Sequence, residues 1–206
     1  MRRSLIVAVL ALLAYFILGS AVSSSSPSAF DRSAEGLIGV GEPLARIFTQ
    51  SCLWYALTAF GIMAIITAIV LPTWRGRILF AVIVTLATWQ TSDALKVLFG
   101  RPRPTHWIWV HESSAAYSSG HAVFAVLVYG LWAYFIWRSS LPTPVRTIVA
   151  VVLGVWACGV IWSRLALGAH YPTDLIGGVL LATTALGIGN AVAIALASRR
   201  VAARYG

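Results

Sequence analysis

Charge is what this chain has least of. Of 206 residues only 10% are Asp, Glu, Lys or Arg, while 59% are hydrophobic, a balance that excludes an ordinary water-soluble domain. Lysine occurs once, at Lys96, and no polar stretch is long enough to build a sizeable soluble domain. Cysteine is also scarce. Cys52 opens one apolar run and Cys158 lies inside another, so both are expected as free thiols packed as small apolar groups, with no functional role. The net charge of +9 raises nucleic acid as a partner. The arginines, however, gather at the ends of apolar runs rather than on one aromatic-laced surface, so topology explains the charge and nucleic acid is excluded.

What the chain does have is apolar runs close to the roughly 20 residues that cross a bilayer. They fall at 5–22, 53–71, 78–95, 122–137, 147–162 and 175–197. The expected fold is all-α: one integral-membrane domain over residues 1–206, with six transmembrane helices in a bundle. The first run follows Met1-Arg2-Arg3 and precedes Ser23 to Ser26 and Pro27, the outline of a signal peptide. At about 18 residues it exceeds the roughly 7 to 15 of a signal's apolar region, so a span is expected. Leu44, Ile47 and Phe48 fall at helical spacing and predict a short interfacial helix. In the third run Thr88, Gln90, Thr91, Ser92 and Asp93 are expected to face the bundle interior or a wet cavity. Asp93 lies one turn before Lys96, which predicts a local ion pair or a supporting role in a site. Gly177, Gly178, Gly187 and Gly189, with Ala185, offer small residues for close helix packing.

Six spans put both termini on one side. The amino terminus, the turns at 72–77 and 138–146 and the tail share the positive excess, which predicts that they are cytoplasmic. The loops at 23–51, 96–120 and 163–174 are then outside. Lys96, Arg101, Arg103 and Arg164 lie there against the charge rule, and binding an anion is a reason for cations to do so.

The stretch Ser163 to Asp174 reads S-R-L-A-L-G-A-H-Y-P-T-D. Arg164 can fork onto two phosphate oxygens. His170 can act as nucleophile or base near neutral pH, and Asp174 can hold its ring in one tautomer. Pro172 favours the first turn of a helix, which puts Asp174 in that turn and His170 just ahead of it. Upstream, Ser119 and Gly120 open a helix, where free backbone N–H groups and the helix dipole make a phosphate site, with His121 in the first turn. Each stretch alone is also what the polar edge of a membrane loop looks like.

Together these residues resemble the type 2 phosphatidic acid phosphatase family, whose signature is K-x6-R-P, then P-S-G-H, then S-R-x5-H-x3-D. The blocks here are Lys96 to Pro104, Ser118 to His121 and Ser163 to Asp174. Ser118 departs, standing where the family usually has proline. The resemblance implies that His170 attacks phosphorus to form a phosphohistidine while Asp174 orients its ring. His121 would protonate the leaving group and then activate water. Lys96, Arg103, Arg164, Ser119 and Gly120 would bind the phosphate. It implies no metal and no cofactor, since fixed cations take the metal's role. Arg101 falls outside the spacing and is expected to be a secondary or structural cation. His106, His111 and Glu112 form a weak alternative metal set, and Trp107 and Trp109 are expected as interfacial anchors.

The implied substrate is a membrane lipid phosphate or pyrophosphate reaching the site from the bilayer: undecaprenyl pyrophosphate first, then phosphatidylglycerophosphate or phosphatidic acid. Three rivals stand beside hydrolysis. A phosphotransferase would pass the phosphoryl group to another lipid. A vanadium haloperoxidase resembles the same motifs, but six spans in this length oppose it. A phosphate-lipid binding or transport protein would need the cations but not His170.

Overall fold

The computed structural model describes residues 1–23, 26–109 and 112–205, with side chains up to Arg199. Among these residues there is no strand; the helices are α1 Arg2–Ser23, α2 Ala29–Arg32, α3 Glu42–Gln50, α4 Trp54–Val70, α5 Arg75–Phe99, α6 Gly120–Trp137, α7 Thr143–Ala166 and α8 Pro172–Tyr205. Five helical segments are individually long and apolar enough to cross a membrane, and α3 with α4, bent by 49° at their junction, makes a sixth. The chain is a multi-pass membrane protein, as the apolar runs predict. In lipid, helices satisfy every backbone polar group internally and leave apolar side chains facing outward. α4 shows this most plainly: among its side chains only Ala64 is buried, while Met63, Ile65 and Ile69 are exposed.

Helix ends follow local chemistry. α5 runs to Phe99, beyond the expected 95, and stops at Gly100, whose φ of 57° is a left-handed cap with its N–H on the Lys96 carbonyl at 3.0 Å. Lys96 therefore sits in the last turn of a helix and not in the following loop. Arg164 and Ser163 likewise belong to the last turn of α7. α8 begins at Pro172 with Asp174 in its first turn. The predicted interfacial helix is α3, which packs its Ala45 and Phe48 against α7.

α1 lies along α8, and Gly187 lets them meet: a Cβ there would stand 2.8 Å from Ala8 Cβ and from the Ser4 carbonyl. Tyr15, Phe99, Tyr117, Leu127 and Leu181 form the packed floor beneath the polar end. Of the polar run on α5, Thr88 and Ser92 are buried and Asp93, though exposed, borders a cavity with Ser92 and Lys96, while Gln90 and Thr91 lie on exposed faces, because a helix cannot turn four consecutive residues to one side. Asp93 does meet Lys96, at 3.8 Å. Cys52 is buried as expected, but Cys158 is exposed on α7.

Candidate active site

Three chain stretches meet at one end of the bundle: the end of α5 with the loop after it, the start of α6, and the junction of α7 with α8. His170 is 3% exposed. Its Nδ1 lies 3.4 Å from Asp174 Oδ2, and its Nε2 lies 2.9 Å from Arg103 Nη1. Arginine can only donate, so Nε2 is the acceptor and Nδ1 carries the proton toward the carboxylate. That tautomer leaves the Nε2 lone pair on the side of the cations. Burial first, and then Arg103 and Arg164, hold His170 well below the usual imidazole range, so it is neutral at neutral pH. Asp174 Oδ2 also accepts the Tyr171 N–H at 2.9 Å, which locks the carboxylate ahead of the helix.

Arg103 and Arg164 converge on Glu112. Arg103 Nη2 donates to Oε2 at 2.8 Å, and Arg164 Nη2 donates to Oε1 at 2.6 Å. Burial works against a charge on Glu112, but Arg164 and Arg103 overcome it and hold the carboxyl below its usual range. Thr49 of α3 fixes Arg164 from behind, accepting from Nη1 at 2.6 Å. Arg103 also reaches Ser114 O at 2.6 Å and lies over the Trp107 ring. Trp109 similarly lies under Arg46, 4.0 Å from its guanidinium. Both tryptophans thus carry arginines.

Lys96 Nζ comes within 3.5 Å of Ser114 Oγ. His121 is half-buried, with its Nε2 buried and unpartnered, in the field of Arg164, His170, Lys96 and Arg103. A cavity of about 190 Å³ is lined by the polar Thr85, Ser92, Asp93, Lys96, Glu112 and His121 and by the apolar Trp89, Val123, Phe124 and Leu127. Gly178 lets this region form, since a Cβ there would stand 2.6 Å from the Ser119 carbonyl and 2.7 Å from Ala122 Cβ. Ser119 caps α6, yet its N–H goes to the Asp174 carbonyl at 3.1 Å. It therefore ties the two helices together, and Gly120 and His121 remain as the leading donors of the helix. Ser118 is buried with Oγ 3.4 Å from Tyr15 Oη.

The structure thus brings together Lys96, Arg103, Ser119, Gly120, His121, Arg164, His170 and Asp174. Sequence reasoning missed Glu112 as the link between the arginines. Its signal was scarcity, as one of only 6 acidic residues. It also left Arg101 loosely assigned. Arg101 is 2% exposed, donates from Nη2 to Asp31 at 2.8 Å and from Nη1 to Thr173 Oγ1 at 2.7 Å, and pairs closely with Asp174. Among the described residues no three His, Cys, Asp or Glu side chains are grouped as metal ligands. In the alternative metal set, His111 lies outside the described residues, and Glu112 is taken by the two arginines.

A family model for the PAP2 superfamily matches residues 74–196, a stretch that contains all three motif blocks. The chain is 37% identical over 111 residues to phosphatidylglycerophosphatase B of Bacillus subtilis, covering 53% of each chain. To the Escherichia coli K12 protein of that name it is 38% identical over 73 residues, 35% of this chain and 27% of that one. Its match thus spans about half or less of these relatives. It is 28% identical over 166 residues to lipid A 1-phosphatase of Rhizobium johnstonii, covering 76% of this chain and 65% of that one. Among solved structures it resembles the transmembrane PAP2 type phosphatidylglycerolphosphate phosphatase from Bacillus subtilis. The TM-score is 0.76 at 26% identity, over 90% of this chain and 95% of that one. With the motif blocks in place and most of the chain from Trp74 onward inside the match, the protein belongs to the PAP2 superfamily.

Proposed function

We propose that this protein hydrolyses the phosphate of a membrane lipid through a phosphohistidine at His170. The observation that carries this reading is the convergence of Arg103 and Arg164 on one anion, the Glu112 carboxylate, beside the unprotonated Nε2 of His170. A phosphoryl group in that position meets two forked cations and a nucleophile. Nε2 forms a bond to phosphorus as the bond to the lipid oxygen breaks, and His121 gives that oxygen a proton. His121 then takes a proton from water as the water attacks phosphorus, and inorganic phosphate and free His170 result. Arg103, Arg164, Lys96 and the leading N–H groups of α6 stabilise the charge on the equatorial oxygens.

The cavity's apolar lining supports a lipid substrate that approaches from the bilayer with its chains still in hydrocarbon. The names of the relatives put phosphatidylglycerophosphate ahead of undecaprenyl pyrophosphate and phosphatidic acid. Arg2, Arg3, Arg75, Arg77, Arg138, Arg146 and Arg199 all lie at the opposite end of the bundle. That bias supports a plasma-membrane protein with cytoplasmic termini and an outward-facing site.

The test is phosphate release from those three lipids in detergent with EDTA, comparing wild type with His170→Ala. Release that survives EDTA and falls at least about 1,000-fold in the variant is expected. Loss of lipid phosphate without free phosphate would identify transfer to an acceptor, and full activity in His170→Ala would overturn the mechanism.

A further inference from the structure

Arg101 sits two residues before Arg103 but is built into different surroundings. One edge of its guanidinium meets Asp31 and the other meets Asp174 and Thr173, while its face lies 4.6 Å from the Tyr171 ring. Its donors are committed to two carboxylates whose side chains are 1% and 0% exposed, so it is not available to grip a phosphate. Asp31 is held just as firmly. Thr173 donates to Oδ1 from its hydroxyl at 2.6 Å and from its N–H at 3.3 Å, and Ser28 forms a capping box with Asp31. Asp31 also lies outside residues 74–196, the stretch that matches the family.

We propose that Arg101 and Asp31 are positioning residues for the reaction proposed above: Asp31 fixes the Arg101 fork, and Arg101 keeps the buried Asp174 charged and aimed at Nδ1 of His170. A buried carboxylate without a cation takes up a proton. A protonated Asp174 would donate to Nδ1, move the ring proton to Nε2 and block the nucleophile. Tautomer control of this kind has a large effect on histidine chemistry. The groups facing Asp174 are Arg101 and Arg103 from the loop after α5, Asp31 from α2, His170 and Tyr171 ahead of α8, and Tyr117 before α6. Arg101 is the cation that contacts it.

The inference rests on the proposed phosphatase reading, and the experiment separates the two. Release of phosphate from phosphatidylglycerophosphate in detergent is measured against pH for wild type, His170→Ala, Arg101→Gln and Arg101→Lys, with thermal unfolding of each. An active His170→Ala, or wild type that releases phosphate neither from this lipid nor from undecaprenyl pyrophosphate or phosphatidic acid, sinks the parent reading. With that reading intact, Arg101→Gln is expected to lower kcat about 100-fold with KM nearly unchanged, and to move the acid limb of the kcat profile to higher pH. Arg101→Lys keeps the charge but loses the fork, so the limb stays in place while kcat falls about tenfold. A folded Arg101→Gln with wild-type kcat, or with reduced kcat and an unmoved limb, would overturn the positioning role. Should Arg101→Gln fail to fold, Arg101→Lys decides: an unchanged kcat, or an effect confined to KM, would overturn it equally.

Discussion

Two arginine clusters lie side by side at the polar end of this protein, and they differ in what holds them. In one, Arg101 is shared by Asp31 and Asp174, with side-chain exposures of 2%, 1% and 0%. In the other, Arg103 and Arg164 share Glu112, whose side chain is 33% exposed. The side chains of the first cluster are almost wholly withdrawn from water. The second holds a carboxylate that water can reach, at the edge of a cavity. Burying an ion pair completely fixes geometry, and leaving its acid accessible makes the cations exchangeable. A site that must orient a histidine and also admit a phosphate needs one cluster of each kind.

The contrast is tested most strongly by Arg103→Gln. In the open cluster the charge serves the reacting group, so kcat/KM is expected to fall about 100- to 1,000-fold. The thermal midpoint should move by only about 2 °C, because the abandoned Glu112 can take water. A steady-state assay with a parallel melting curve checks both. A collapse in stability would mean that this cluster, too, is a structural lock.

Asp31→Asn probes the other side. It leaves Arg101 with one carboxylate in a buried setting, and losing half of such a pair typically removes about 3 kcal/mol of stability. The pH dependence has a definite sign. Burial opposes the charge on Asp31, but the Thr173 bonds and Arg101 leave its carboxyl below the usual range. Its contribution is therefore complete above the unfolded value of about 3.9 and is lost as pH falls through the lower folded value. Denaturant unfolding in detergent should show wild type losing this increment below about pH 4, and Asp31→Asn should lack that loss. Equal acid sensitivity in the two proteins would remove Asp31 from the lock.

The motif residues were readable in the sequence because each block is local. His170 and Asp174 are one helical turn apart, and Pro172 announces the helix between them. The spans were readable because a bilayer demands long apolar runs, although the ends of α5 and α7 reach further than the runs and carry Lys96 and Arg164 inside helices. What was not readable are the partners. Asp31 and Arg101 are 70 residues apart, Glu112 and Arg164 are 52 apart, and Thr49 and Arg164 are 115 apart. No periodicity links such pairs; only the packed bundle does. Arg46 and Trp109 show the same limit, since only the packed bundle sets one over the other.

Glu112 bears on the smallest expected effect and on the logic of the open cluster. Its two oxygens satisfy Arg103 and Arg164, so an incoming phosphate must displace two charge-assisted bonds before it can use those donors. Because the two arginines, acting against burial, hold its carboxyl below the usual range, Glu112 is charged at every working pH. Acidification to pH 6 therefore does not relieve the competition, which would end only as pH fell through the lowered folded value. Substitution does relieve it. Glu112→Gln is expected to tighten competitive inhibition by inorganic phosphate about fivefold, the scale of one net hydrogen bond, and by the same factor at pH 7.5 and at pH 6. An unchanged inhibition constant would show that the carboxylate swings aside without penalty. Weaker inhibition would show that Glu112 holds the two guanidinium groups in the spacing a phosphate needs, making the second cluster a template rather than a competitor.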